Sequence, residues 1–224
     1  MLLCYAYVLV VIVLSGKIDT ILDISRKNAR KFLHVMIGNL PFIIPFFTLT
    51  IFPALVAAPF IVVTFLASPY SPFKTVGERM KELSNITEEG HQLGLVFYAI
   101  SYTSLAALFA SKAQIIAAGI LPMAYGDAAA SIVGERFGKK KYSLVAQKSL
   151  EGSAAMFVFS FISVAASMFF FSFLYHFALI DKIVAALAAS AVATAVEAFS
   201  PMGFDNLTVP VVSVLVFLLY GGGL

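Results

Sequence analysis

Long apolar runs alternate along this chain with four short polar segments, residues 16–34, 69–93, 126–152 and 202–208. An uncharged apolar stretch of about 20 residues is long enough to cross a bilayer as a helix. The clearest is 153–179, followed by 182–200, which is apolar apart from Lys182 at its start and Glu197 near its end. Residues 94–110 run on past Lys112 into 113–125, and 35–52 with 53–68 forms a double-length run broken at Pro53, the pattern of a tight helical hairpin. Shorter runs, 1–15 and 209–220, complete the set. Helix is the default for all of them, because lipid leaves no partner for open strand edges. The pattern therefore predicts an all-α, polytopic membrane bundle of about eight transmembrane helices, a single transmembrane domain over 1–224.

Charge then orients it. With eight spans all four polar segments fall on one side, and that side carries 13 of the 15 Lys and Arg residues. The positive-inside rule puts them in the cytoplasm and both termini outside. Residues 1–15 lack a basic leading region and read as a signal anchor rather than a cleaved signal. The sequons Asn85-Ile86-Thr87 and Asn206-Leu207-Thr208 fall on the cytoplasmic side and are discounted.

Composition narrows the class. Hydrophobic residues make up 61% of the 224 and charged residues 12%, against roughly 45–50% and about 25% for a soluble domain. The mean hydropathy is +0.96. A soluble enzyme, a disulfide scaffold and a disordered chain are excluded. The single Cys4 and the three scattered histidines, His34, His91 and His176, give no Cys- or His-based metal site. A net charge of +3 gives no support for nucleic-acid binding.

The polar segments carry the candidate chemistry. In the first, Ile18, Ile21, Leu22, Ala29, Phe32, Leu33 and Met36 recur at helical spacing, with Lys27, Arg30, Lys31 and His34 on another face. This is an amphipathic helix whose bases meet either lipid headgroups or a phosphate site. The second segment mixes Lys74, Arg79 and Lys81 with Glu78, Glu82, Glu88 and Glu89 and reads as a solvated loop or short helix. Ser84–Glu88 resembles a helix start there, and His91 has no evident partner.

The third segment is the densest. Asp127 follows Gly126 at the end of an apolar helix, then come Gly134, Arg136, Gly138 and three lysines, Lys139, Lys140 and Lys141; Lys148, Ser149, Glu151 and Gly152 open the next span. A carboxylate at a membrane interface is costly without a cation partner and is functional by default. Glycines permit close backbone approach, and lysines offer point charges to phosphates. Singly, Gly134 and Gly138 read as helix packing and the lysines as a positive-inside run; in combination they suit a magnesium–phosphate site. No Walker loop, dinucleotide fingerprint or protein-kinase motif is present. Glu197, at the end of the apolar run before the fourth segment, precedes Asp205 and Asn206 within it, hard oxygen donors suited to Mg²⁺, or a helix cap in the case of Asn206.

These blocks, Arg30-Lys31-x-x-His34-x-x-x-Gly38, Gly126-Asp127-x-x-Ala130-x-x-x-Gly134-x-x-x-Gly138, Lys148-Ser149-x-Glu151-Gly152, and Glu197 with Asp205-Asn206-Leu207-x-x-Pro210, resemble the CTP-dependent lipid kinases: dolichol kinase, phytol kinase and fungal-type diacylglycerol kinase. The resemblance runs from about Arg30 to Pro210. Membrane cytidylyltransferases share related Gly-Asp and Lys-Thr-x-Glu-Gly blocks, but their longer acidic signature near the C-terminal end is missing. The resemblance implies transfer of the γ-phosphoryl of CTP to the hydroxyl of a polyprenol-type lipid, with Mg²⁺ as cofactor, on the cytoplasmic face of what compact loops suggest is a prokaryotic plasma membrane. Asp127 would hold the metal or accept the proton. Lys148 and His34 would join it in catalysis. Arg30, Lys31, Gly126, Gly134, Arg136, Gly138, Lys139, Lys140, Ser149, Glu151 and Gly152 would bind phosphates, with Glu151 orienting Lys148. Asp205 and Asn206 would complete the metal shell, with Glu197 nearby. A CDP-lipid synthase is the nearest enzymatic alternative and a transporter the nearest of another class. The lipid acceptor and oligomeric state stay open.

Overall fold

The computed structural model describes residues 1–22, 26–73, 92–201 and 203–222. The mixed charges of 74–91, with the Ser84–Glu88 helix start, the first sequon and His91, lie outside them, as does Met202. Apart from one small hairpin the described chain is helical. In order it forms α1 (Leu2–Leu22), α2 (Arg26–Ile37), a 3-10 turn (Leu40–Phe46), α3 (Phe52–Ala67), α4 (Gly94–Phe109), α5 (Ala113–Leu121) and α6 (Asp127–Phe137). There follow β1 (Lys141–Ser143), β2 (Gln147–Ser149), α7 (Leu150–Tyr175), α8 (Leu179–Phe199) and α9 (Asp205–Phe217).

Three helical stretches are long and apolar enough to cross a membrane: Ala113–Phe137, Leu150–Tyr175 and Leu179–Phe199. Shorter apolar helices occupy Leu2–Ile18, Phe52–Ala67, Gly94–Phe109 and Asp205–Gly221. Eight separate spans are not found among the described residues. The difference falls on residues 35–52, which form no single helix: α2 ends at Ile37 and a 3-10 turn holding Pro41 and Pro45 follows. Proline lacks the N–H that an α-helical interior needs, so an apolar run long enough to span is broken locally. The basic amphipathic helix is also divided, because Ile18, Ile21 and Leu22 belong to α1 and only Arg26–Ile37 to α2.

The continuous helix of α5 and α6 is the axis of the molecule. Ile115, Ile116, Ala117, Ala118, Ile120 and Met123 are wholly or almost wholly enclosed, with α7 and α9 packed against it. The outer surface is the reverse of a soluble one. Phe159, Ile162, Phe169 and Phe173 on α7, and Ile180, Val184 and Leu187 on α8, are exposed. So continuous an apolar surface is stable against lipid and a liability in water. Where helices meet, the side chains are small: Ala185, Ala186, Ala189 and Ala193 on α8, Ser160 and Ser167 on α7. Small residues let backbones approach when lipid removes the hydrophobic drive between helices.

Gly126 shows how tight this is. A methyl group there would lie 2.1 Å from Ser160 Oγ and 2.8 Å from Met156 Sδ. Gly126→Ala is expected to destabilise the fold by about 1–3 kcal/mol, the usual cost of overpacking. Thermal unfolding in detergent checks this; an unchanged midpoint would show that α7 gives way freely.

Candidate functional site

Asp127 is placed by a fault in a helix. Pro122 cannot donate to the preceding turn, and the helix widens into a π-turn over Pro122–Gly126. The Asp127 N–H then reaches back to the Pro122 carbonyl. Such π-turns frequently mark functional sites. Here the turn brings Asp127 to the wall of a polar cavity of about 550 Å³.

The cavity draws on four regions distant in sequence. α2 supplies Arg30 and Lys31; α6 supplies Asp127, Ser131, Gly134 and Glu135; the hairpin and the start of α7 supply Lys141, Lys148 and Ser149; Glu197 and Asp205 come from the facing ends of α8 and α9. Two ion pairs tie these regions together. Lys31 donates to Asp127, both almost fully buried, and Lys148 donates to Glu197. Glu197 is 3% exposed. Arg30 and His34 also stand near enough to Asp127 to act on it electrostatically, and Asp127, Lys31 and Lys148 act likewise on Asp205.

Hydroxyl groups hold α2 in place. The last carbonyls of a helix have no intrahelical partner. Tyr7 donates to the Met36 carbonyl at 2.7 Å, Tyr98 to the His34 carbonyl at 3.2 Å, and Asn39 to the Val35 carbonyl at 2.9 Å. Tyr125, one residue before the Gly126-Asp127 pair, donates to Asn39 Oδ1 at 2.8 Å. The basic helix and the Asp127 helix are thus registered on each other. The His34 ring packs on Tyr98 with 4.9 Å between centroids.

Glycines and a cap set the other wall. Ser149 caps α7, accepting from the Gly152 N–H at 3.1 Å. Cβ atoms added at Gly138 or Gly152 would crowd Ser149, and one at Gly152 would lie 3.0 Å from the Ala130 carbonyl. Gly134, Gly138 and Gly152 therefore do both things their spacing suggested: they let α6 meet α7 closely and they line the cavity.

The structure brings together Arg30, Lys31, Asp127, Gly134, Gly138, Lys148, Ser149, Gly152, Glu197 and Asp205. Other expected residues stand elsewhere. Gly126 faces α7. His34 packs against Tyr98 and is not part of the cavity wall. Arg136 is exposed and lies over the Phe137 ring, and Lys139 and Lys140 are exposed beside the hairpin. Glu151 does not orient Lys148, because its carboxylate accepts from the Lys140 N–H at 3.2 Å and locks the hairpin to α7. Lys148 turns instead to Glu197. Asn206 lies beside the cavity rather than in its wall; its amide donates to the Gly203 carbonyl at 3.3 Å, while its Oδ1 is buried without a partner. Lys141, Ser131 and Gln147 were not anticipated; the pairing of Lys141 with Ser149 across the hairpin brings Lys141 in.

Among the described residues no three His, Cys, Asp or Glu side chains form a metal cage. Asp127 and Asp205 nonetheless fit Mg²⁺, which characteristically takes one or two carboxylates and completes its shell with water and phosphate oxygens.

An all-α scaffold with an apolar exterior and a charged cavity among the described residues is that of a membrane-type protein. No family model matches the chain, and no solved structure does. Two curated relatives are similar. One, named "Phytol kinase", from Synechocystis sp., is 39% identical over 129 residues, 56% of this chain and 54% of that protein. The other, "Probable phytol kinase, chloroplastic", from Triticum aestivum, is 31% identical over 148 residues, 62% of this chain and 49% of that protein. The chain spans about half the length of these relatives. The residue blocks and these two proteins point the same way: over about half of their length, the chain is similar to proteins named as phytol kinases.

Proposed function

We propose that this protein is a lipid-alcohol kinase that transfers the γ-phosphoryl group of CTP to the hydroxyl of a polyprenol-type alcohol such as phytol. The observation that carries the proposal is the cavity, where cations of α2 and the hairpin converge on Asp127 and Asp205 in a chain otherwise built of apolar surface. The two phytol kinases to which the chain is similar support the acceptor class. CTP as the donor rests on the resemblance of the residue blocks to the CTP-dependent lipid kinases, since no residue of the cavity reads the base.

Charge balance explains why such a site needs a metal. Four cationic side chains line the cavity, Arg30, Lys31, Lys141 and Lys148, and four carboxylates face them, Asp127, Glu135, Glu197 and Asp205. The protein alone therefore offers a triphosphate no surplus of positive charge. A bound Mg²⁺ would supply that positive charge to the phosphates. Asp127 and Asp205 would hold it, with Asn206 Oδ1 as a neighbouring oxygen donor.

Phosphoryl transfer asks the protein mainly for positioning and electrostatic stabilisation. Lys31 holds one Asp127 oxygen and leaves the other for the metal or for the acceptor's proton. Arg30, Lys141 and Lys148 are placed to take phosphate oxygens. Ser149 and the glycines beside it let the donor's phosphates come close to backbone. The test uses purified protein in detergent with Mg²⁺, γ-labelled CTP or ATP, and a panel of phytol, dolichol and diacylglycerol. Label passing from CTP to an isoprenoid alcohol is the expected result. Pyrophosphate release with phosphatidic acid would make the protein a cytidylyltransferase, and solute flux into proteoliposomes without nucleotide would make it a transporter.

A further inference from the structure

A second concavity lies beside α2, and it is apolar. Leu33 and Ile37 of α2, Ile44 of the 3-10 turn, Ala57 of α3, and Ala99 and Tyr102 of α4 line it, and α1 closes another side through Val8 and Ile12. We propose that this groove holds the hydrocarbon chain of the acceptor alcohol, with the Tyr98–His34 pair at the passage between groove and polar cavity. The inference rests on the kinase reading above and adds to it where the lipid lies.

Two observations converge on that occupant. The first is continuity around one helix. At 3.6 residues per turn, Lys31, His34, Arg30, Ile37 and Leu33 follow one another around the α2 surface. Arg30 and Lys31 wall the polar cavity, while Leu33 and Ile37 wall the groove. A molecule with a hydroxyl head and an apolar tail can therefore engage both sides of a single helix. The second is the lining, which is hydrocarbon almost throughout, with Thr64, Cys4 and two tyrosines as its exceptions. Thr64 spends its hydroxyl on the Phe60 carbonyl of its own helix at 2.6 Å. It presents no donor set for a headgroup, a sugar or a nucleotide.

The groove is slender, about 70 Å³ against about 550 Å³ for the polar cavity. It is not a chamber that swallows a whole isoprenoid. The chain lies along it, with its far portion among the surrounding acyl chains, and the groove reads the part nearest the hydroxyl. The rim residue Ile43, 38% exposed, marks where it leaves.

Two measurements on the full chain in detergent or nanodiscs test this. A long isoprenoid alcohol carrying a diazirine a few carbons from its hydroxyl is photolysed on the protein, and the adducts are mapped by peptide mass spectrometry. Adducts on groove-lining residues of α1, α3 and α4 are expected; adducts confined to the outer faces of α7 and α8 would overturn the proposal. Steady-state kinetics then compare Ile43→Trp, which fills the rim, with Ala57→Phe, which fills the wall, each checked for folding by size-exclusion and thermal unfolding. Ile43→Trp keeps the test alive if Ala57→Phe does not fold. The ratio of kcat/KM for a long over a short prenyl alcohol is expected to fall at least about tenfold, through KM for the alcohol rather than for the nucleotide. An unchanged ratio in folded variants would sink the groove assignment. Wild-type protein that phosphorylates no alcohol would instead sink the kinase reading, and the adduct map would still report what the groove binds.

Discussion

Replacing Asp127 by Asn is expected to reduce phosphoryl transfer at least about 1000-fold, which corresponds to about 4 kcal/mol of lost transition-state stabilisation. The prediction rests on where the carboxylate sits. Asp127 is brought to the cavity by the π-turn after Pro122, and Lys31 already occupies one of its oxygens. An amide keeps the shape and one oxygen but cannot bind a divalent cation with a full charge or take a proton from the acceptor. Both roles left open for Asp127 are therefore lost together. The change also leaves the buried Lys31 ammonium without its counter-ion, and truncating one partner of a buried pair destabilises. Turnover must accordingly be compared at temperatures where the variant still elutes as a folded species in detergent. Wild-type turnover in folded Asp127→Asn protein would remove Asp127 from the reaction and with it the central assignment of the site.

Much of this site can be read from the chain because isolated polar residues in apolar surroundings have few cheap explanations. Glu197 inside an apolar helix and Asp127 at the end of an apolar helix stand out for that reason, and both line the cavity. Pairing is harder to read. Lys148 stands three residues from Glu151, yet the hairpin's register puts Glu151 on the Lys140 N–H and frees Lys148 to cross to Glu197, 49 positions away. Tertiary geometry made that choice, and spacing holds no record of it. The run of three lysines misleads for a similar reason. Lys141, paired with Ser149 in the hairpin, reaches the cavity while Lys139 and Lys140 stay outside. Composition alone also turned residues 35–52 into a span, although Pro41 and Pro45 four residues apart were visible in the run and carry the reason it breaks. A count of spans inherits every such break, whereas the all-helical character does not depend on it.

The Lys148–Glu197 pair permits stability and catalysis to be separated. Glu197 sits on α8 with its side chain 4% exposed, and Lys148 reaches it from the hairpin at 22%. Lys148→Met alone is expected to destabilise by about 2–4 kcal/mol, slightly below the usual range for a broken buried pair because the lysine retains some access to water. The cost comes from a carboxylate left unpaired in an apolar helix. Adding Glu197→Leu removes that carboxylate, and a double variant with apolar groups at both positions should recover most of the lost stability, since well-packed hydrophobic residues replace buried pairs at little or no cost. Activity should not recover with it. If Lys148 takes a phosphate oxygen during transfer, both Lys148→Met and the double variant remain at least about 100-fold below wild type, with the loss at the nucleotide or in kcat rather than at the lipid. Thermal unfolding and steady-state turnover on wild type, the two single variants and the double variant complete the cycle. Recovery of both stability and turnover in the double variant would show that the pair only fastens the hairpin to α8, and that the phosphates are held by Arg30 and Lys141 alone.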